Sequence, residues 1–428
     1  MEIILYPDKT TWGNYLQRPH RDASELREVV KTVLDDVRAN GDEAVKRYEL
    51  KFDKVQLTSL AVSEAEMQEA ESLISEELKT AIRLAHANIE KFHAAQKFDG
   101  MKVETQPGVT CWQKSVAIEK VGLYIPGGTA PLFSTVLMLA TPAKIAGCRD
   151  IVLCSPPNAE GKLHPAILFA AQVAGVNRIY KAGGVQAIGA MAYGTERVPK
   201  VSKIFGPGNQ FVTAAKQQVS LHDVAIDMPA GPSEVAVMAD DSANARFVAA
   251  DLLSQAEHGV DSQAVMFTDS EVLARAVNDE VESQLQRLPR KEIAVKSLAY
   301  SKIIVVKDLN EVIDITNEYA PEHLILAVKN YTAIADRIVN AGSVFLGNYS
   351  CESAGDYASG TNHTLPTSGY AKAYSGVNLD SFCRKITFQE LTAEGIRSIG
   401  RAVELMAEAE QLDAHKYAMT VRLNEIEK

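Results

Sequence analysis

The apolar positions change rhythm near residue 116. Before it they recur at helical spacing: Leu26, Val29, Val30, Val33, Leu34 and Val37 lie three or four apart or side by side, which predicts an amphipathic helix over residues 22–50. Ser63, with Glu66 three residues on, makes a capping-box pattern. The stretch it opens runs free of Gly and Pro to about residue 96, so helix with room for a bend is expected there. After 116, short apolar runs alternate with helical stretches, and Gly or Pro stands at the junctions. Strands are predicted at 121–125, 151–154, 178–181, 203–205 and 224–227, with helices at 131–146, 165–174, 186–192 and 209–219. A second series predicts strands at 234–238, 264–268, 303–306, 324–326 and 343–346, and helices at 243–258, 271–288, 310–319 and 331–340. This alternation is the pattern of parallel, doubly wound α/β sheets, here in two modules. Residues 347–380 form a polar, Gly-rich stretch with several aromatics. A loop of that length in a compact domain is usually functional or disordered, and the aromatics argue against disorder. Residues 392–426 again read as helical.

Composition narrows the class without changing the fold. The 428 residues suit two to four domains. A formal charge of −11 argues against a nucleic acid or an anionic membrane as partner. The five cysteines show no C-x-x-C spacing, and with no secretory pattern in MEIILYPDKT they point to reduced thiols and a cytoplasmic location. The most apolar stretch, residues 130–146, contains Ser134, Thr135, Thr141, Pro142 and Lys144. It is too short and too polar to span a bilayer.

Four groups of residues can carry chemistry. In DLLSQAEHG, Gln255 and His258 are three apart on one helical face, with Gly259 placed as a C-cap. Such a pair can hold a metal, and a solvated helix end explains it as well. In TNEYAPEHL, Glu322 and His323 precede a strand and offer a carboxylate and an imidazole for proton transfer. A surface turn would look the same. The long loop presents Asp356 and His363 among glycines. With His258 these donors suit zinc or a similar divalent ion. The C-terminal helix carries Glu410 and His415, which in isolation read as surface residues. Three turns, IPGGTAP, AGGVQA and FGPGN, each follow a strand and open a helix, a position that favours phosphates. They would gather at the carboxyl edge of one parallel sheet. Neither G-x-G-x-x-G nor a P-loop pattern occurs in them. Cys351, in the loop, is a candidate nucleophile.

Taken together, GLYIPGGTAPLFSTVLMLATPAKIAG, GPGNQFVTAAK, DMPAGPSEVAV, DLLSQAEHG, APEHL, ASGTNHTLPTSGYA and SGVNLDSFCRKITFQELT resemble, in order, the motifs of histidinol dehydrogenases. The resemblance covers nearly the whole chain. It implies a zinc- and NAD-dependent oxidation of L-histidinol to L-histidine by way of the aldehyde. It assigns Gln255, His258, Asp356 and His415 to zinc. Glu322 and His323 become the catalytic acid/base pair. Tyr124, Gln186 and Asn209 become NAD contacts, and Ser233, His363 and Glu410 join the substrate site with Gln255, His258, His323, Asp356 and His415. It further implies a homodimer in which His415 and Glu410 complete the site of the other subunit. The implied fold is two incomplete Rossmann-like modules, similar to aldehyde dehydrogenases. These comprise an N-terminal arm (1–22), a module carrying the zinc and catalytic residues (23–118 and 233–378), an inserted NAD-contacting module (119–232) and a C-terminal helical segment (379–428). An aldehyde dehydrogenase relative using Cys351, and a non-catalytic binding protein on the same scaffold, are the alternatives.

Overall fold

The computed structural model describes residues 1–19, 24–127, 130–229 and 231–427. The helix start expected at Asp22, Gly128 and Thr129 of IPGGTAP, and Ala230 of DMPAGPSEVAV lie outside the described residues.

Strand β1 (Glu2–Leu5) opens the chain, and β2 (Val103–Gln106) and β3 (Val109–Ala117) follow the N-terminal helices. The first α/β series supplies β4 (Lys120–Tyr124), β5 (Asp150–Ser155), β6 (Arg178–Lys181), β7 (Lys203–Phe205) and β8 (Ala225–Ile226). The second supplies β9 (Glu234–Ala239), β10 (Gln263–Thr268), β11 (Lys302–Val305), β12 (His323–Ala327) and β13 (Ser343–Leu346), and β14 (Cys383–Leu391) comes last. Strands β4–β8 form a parallel sheet in the order β6-β5-β4-β7-β8. Strands β9–β13 form a second parallel sheet with β1 on its edge, β1-β11-β10-β9-β12-β13.

The central strands of both sheets are buried along their length. That is why they read as continuous apolar runs and not as alternation. Helices cover both faces of each. On the five-stranded sheet, helices Phe133–Ala146 and Pro165–Val173 pack one face, and Gly184–Tyr193 and Gln210–Ser220 the other. On the six-stranded sheet, Ala245–Ala256 and Glu271–Leu285 lie opposite Leu309–Tyr319.

The predicted parallel strands are all present within a residue or two, and the departures are local. The first helix, Ser24–Tyr48, is broken at Gly41 (φ 50°, ψ −133°). The stretch from Ser63 divides into Glu64–Ser72, with the capping box formed, and Glu76–Ala94, whose first turn is capped by Ser75. Helix 331–340 shortens to Tyr331–Ala335, and an additional helix, Lys291–Leu298, follows Glu271–Leu285. The helices of residues 24–94 pack on the five-stranded sheet, against Gly184–Tyr193, Pro165–Val173 and Phe133–Ala146. The N-terminal arm is in part strand β1. The C-terminal segment is not all helix, because β14 pairs antiparallel with β3, and β3 with β2, in a third sheet. β2 and β14 are exposed on both faces over much of their length and β3 is mostly half-buried, so no apolar alternation marks them. Among the described residues, no helix is long and apolar enough to cross a membrane.

Candidate active site

Glu322 and His323 stand at the amino end of β12, between β9 and the edge strand β13 of the six-stranded sheet. Helix Leu309–Tyr319 ends on Ala320, held in the left-handed region (φ 52°), and Pro321 stops any continuation. The next residues enter the sheet at once. Gly342 lets the neighbouring chain pass close by: a Cβ there would lie 2.5 Å from the Glu322 carbonyl oxygen.

One residue on the adjacent strand holds both side chains. The Glu234 N–H, at the start of β9, donates to Glu322 Oε2 at 2.9 Å, and the Glu234 carbonyl lies 3.4 Å from His323 Nδ1. The Glu234 carboxylate faces the other way. It pairs with Arg18 Nη2 at 2.9 Å and accepts the Ser368 N–H at 3.1 Å. Arg18 also donates to the Tyr319 carbonyl at 2.7 Å and lies over the Tyr319 ring. The N-terminal segment and the long loop are thus fastened to β9, the strand beside Glu322 and His323.

The long loop is not featureless. Its short helix, Glu352–Tyr357, brings Glu352 and Asp356 to one face. Glu352 Oε1 lies 3.8 Å from His323 Nδ1, and Asp356 Oδ1 lies 3.5 Å from His323 Nε2. His363 Nδ1 is 2.9 Å from the Asp356 carbonyl, and its Nε2 is 3.1 Å from Thr135 Oγ1, on the helix that follows β4. That contact bridges the two modules. Sequence reasoning missed Glu352. The signal was its i, i+4 relation to Asp356, which is invisible while 347–380 is read as loop.

His258 reaches the same place from just beyond helix Ala245–Ala256, which carries Gln255 in its last turn. The helix ends earlier than expected, so His258 lies in the turn beyond it, its N–H 3.2 Å from the Gln255 carbonyl. Gly259 is not the left-handed cap the sequence suggested, because the cap falls on Glu257. Ligand atoms of His258, Glu352 and Asp356 all lie within 4.8 Å of one another. Both amide atoms of Gln255, both Glu352 oxygens, Asp356 Oδ1 and His323 Nε2 are buried without a hydrogen-bond partner. Buried polar atoms are rarely left unpaired. The carboxylates of Glu352 and Asp356 gathered with the imidazoles of His258 and His323 suit a divalent cation such as zinc.

Burial pushes the Glu322 carboxyl up to about 8, against the opposing pull of His323. Burial would lower His323, but Glu352, Glu322 and Asp356 outweigh it and raise the imidazole to about 10. The cluster is one of negative charge focused on a single ring.

The remaining candidates divide. Ser233 precedes Glu234 at the head of β9. Tyr124 ends β4, and its Oη accepts the Gly184 N–H at 3.2 Å. Gln186 lies in the first turn of the next helix, its Nε2 donating to Glu49 at 2.7 Å. Asn209 caps helix Gln210–Ser220 through the N–H groups of Phe211 and Val212. Tyr124 ends a strand of the five-stranded sheet, and Gln186 and Asn209 follow two others. Glu49, from the N-terminal helical region, was not foreseen. Glu410 and His415 are exposed on the C-terminal helices and take no part in the cluster of their own chain.

The histidinol dehydrogenase family model matches residues 16–423. The histidinol dehydrogenase of Bacteroides thetaiotaomicron is 68% identical over 99% of both chains. That of Escherichia coli is 55% identical over 96% of this chain and 94% of its own. The chain belongs to the histidinol dehydrogenase family. It is accordingly an oxidoreductase. The crystal structure of histidinol dehydrogenase from Elizabethkingia anophelis superposes with a TM-score of 0.98 at 55% identity, covering 100% of this chain and 99% of that one. An acetylating aldehyde dehydrogenase from Geobacillus thermoglucosidasius, 15% identical, reaches a TM-score of 0.50 over 89% of this chain and 94% of its own. That likeness is one of fold, and it agrees with the aldehyde-dehydrogenase-like architecture expected for this family.

Proposed function

We propose that this chain oxidises L-histidinol with two NAD+ and water to L-histidine, through L-histidinaldehyde, as a zinc enzyme of the cytoplasm. The observation that carries this reading is the cluster itself: an acid/base pair held by the N–H and carbonyl of one residue, Glu234, beside buried donors that lack partners. Gln255, His258 and Asp356 would hold the cation, with His415 of a second copy as fourth ligand. Bound there, zinc would supply a Lewis-acidic anchor for the substrate's imidazole and amine, and NAD+ would supply the hydride acceptor.

The chain's own groups do the rest. His323 takes the proton from the alcohol through Nε2, with its Nδ1 held toward the Glu234 carbonyl. This requires a neutral ring, and a cation on Asp356 would spend the charge that keeps the ring protonated. Glu322, kept from full ionisation by burial, is placed to take a proton from water in the second oxidation. Ser233 and His363 border this space and orient the substrate. Positioning of this kind lowers the entropic barrier to both steps. Tyr124, Gln186 and Asn209 would contact NAD at the facing sheet edge.

We further propose a homodimer whose C-terminal helices exchange. Exposed Leu405, Met406, Leu412 and Tyr417 on those helices support a partner surface next to Glu410 and His415. Mixing inactive His258→Ala and His415→Ala proteins should then restore activity in heterodimers. No recovery after confirmed subunit exchange would refute the shared site.

The primary test is a titration of limiting L-histidinol with excess NAD, before and after chelation and zinc add-back. Two NADH per histidinol, lost with chelator and restored by zinc, is the expected result. One NADH would overturn the role given to Glu322.

A further inference from the structure

The turn that carries Asn209 is held in a way that none of the chemistry above explains. It follows β7 and opens helix Gln210–Ser220. Gly206 begins it at φ 126°, pressed so closely on the end of β4 that a Cβ would collide with the Tyr124 carbonyl oxygen. Both backbone polar groups of Gly206 are then gripped by side chains. Lys216 Nζ, one turn and a half along the helix, donates to the Gly206 carbonyl at 2.8 Å. Asp227 Oδ2, just past β8, accepts the Gly206 N–H at 2.8 Å. The two side chains pair with each other and are only 6% and 2% exposed. Asp227 Oδ1 also accepts the Met228 N–H at 2.8 Å. Met228 begins the segment that leads to Ser233 and Glu234, whose backbone holds Glu322 and His323.

We propose that Lys216 and Asp227 are positioning residues for the dinucleotide: their ion pair sets the Asn209 turn against the segment that enters β9, beside the acid/base pair. Energetics separate this from a plain stabilising role. A buried ion pair seldom adds stability over an apolar pair of similar size, whereas removing one partner strands the other charge. What the pair contributes here is geometry, at the one residue where the cofactor turn and the crossover to β9 meet. The proposal rests on the reading that this turn contacts NAD, and the test separates the two.

The experiment measures KM for NAD, KM for L-histidinol and kcat on the zinc-loaded enzyme. The variants are Lys216→Met, Lys216→Arg, the double variant Lys216→Met/Asp227→Leu, and Asn209→Ala. Misplacing a binding group by a fraction of an ångström to one ångström costs heavily, so KM for NAD should rise about tenfold or more in Lys216→Met and in the double variant. KM for histidinol should stay near the wild-type value. Lys216→Arg, which keeps the charge, should fold and show a smaller shift of the same sign. The double variant strands no charge and reports on geometry even where Lys216→Met alone is too unstable to assay. A folded double variant with wild-type KM for NAD, alongside an Asn209→Ala protein whose KM for NAD has risen, would overturn the proposal. A wild-type KM for NAD in Asn209→Ala would remove this turn from the cofactor site, and the proposal would fall with that reading.

Discussion

The two parallel sheets carry their candidate functional residues at opposite ends of their strands. In the five-stranded sheet, Tyr124 ends β4, and Gln186 and Asn209 follow β6 and β7, at the carboxyl edge where open α/β sheets bind ligands. In the six-stranded sheet, Ser233 and Glu234 begin β9, and Glu322 and His323 begin β12, at the amino edge. The Thr135–His363 contact ties the carboxyl edge of one to the amino edge of the other. A candidate acid/base pair at an amino edge departs from the usual rule, and the proposed site needs the other module as its second wall. The candidate acid/base pair is held by backbone: the N–H and the carbonyl of one β9 residue, Glu234, contact Glu322 and His323. The cofactor edge is built from turns held by side chains.

This contrast predicts how each region fails. The largest effect should follow loss of the proton-transferring group. His323→Asn keeps the shape of the site, and kcat should fall by roughly 10²–10⁴-fold with little change in thermal stability. Glu322→Gln should instead lower the NADH yield per histidinol, because water attack and not alcohol deprotonation is impaired. Equal loss of both half-reactions in the two variants would collapse the distinction between their roles.

A second break tests the anchor behind the pair. Arg18→Met leaves the buried Glu234 carboxylate without its ion-pair partner. Stranding a buried charge costs about 3–5 kcal/mol, so denaturant unfolding should show a loss of that order, and kcat should fall as β9 shifts under Glu322 and His323. A stable, fully active Arg18→Met protein would show that the backbone of β9 needs no such anchor.

The same contrast explains what the sequence made legible. Buried parallel strands and Gly- or Pro-marked junctions are local signals, and they located both modules. Gln255 and His258 stood out by their spacing on one helical face, Glu322 and His323 as an adjacent pair before a strand, and Asp356 by its place in a long polar loop. What stayed hidden depends on long-range pairing. The β3–β14 ladder joins residues more than two hundred and sixty positions apart, Cys383 opposite Ala117. The support of Gln186 by Glu49 and the fastening of Glu234 by Arg18 likewise cross the chain. The metal ligands and NAD contacts among these candidates took their roles from the family resemblance, not from spacing.

The cofactor edge offers a milder, pH-dependent test. Burial raises the Glu49 carboxyl above its ordinary 4.5, although the Gly183 N–H and Gln186 Nε2 favour its charged form. The sign follows from linkage. Below pH 4.5 both folded and unfolded chains hold the proton, and Glu49 contributes nothing. As pH rises, the unfolded chain releases it first, so stability falls until the folded carboxyl ionises as well. Glu49→Gln cannot ionise and keeps an acceptor for both donors. Its melting temperature should therefore decline less between pH 5 and 8 than that of the wild type. Parallel curves would mean that Glu49 is ionised in the folded chain throughout.

The smallest expected effect separates this family from the aldehyde dehydrogenase whose fold it shares. Cys351 lies at the head of helix Glu352–Tyr357, half-buried, and its side chain makes no capping hydrogen bond. Between the catalytic ring and this helix, the facing groups are Glu352 and Asp356, which lie 3.8 and 3.5 Å from His323. Nucleophilic catalysis would need the thiol itself within hydrogen-bond reach of a base. Cys351→Ala should leave kcat and the NADH yield essentially unchanged, while Asp356→Asn in the same helix should lower metal content and activity together. A Cys351→Ala protein as impaired as His323→Asn would reverse the comparison and place a covalent step on the loop.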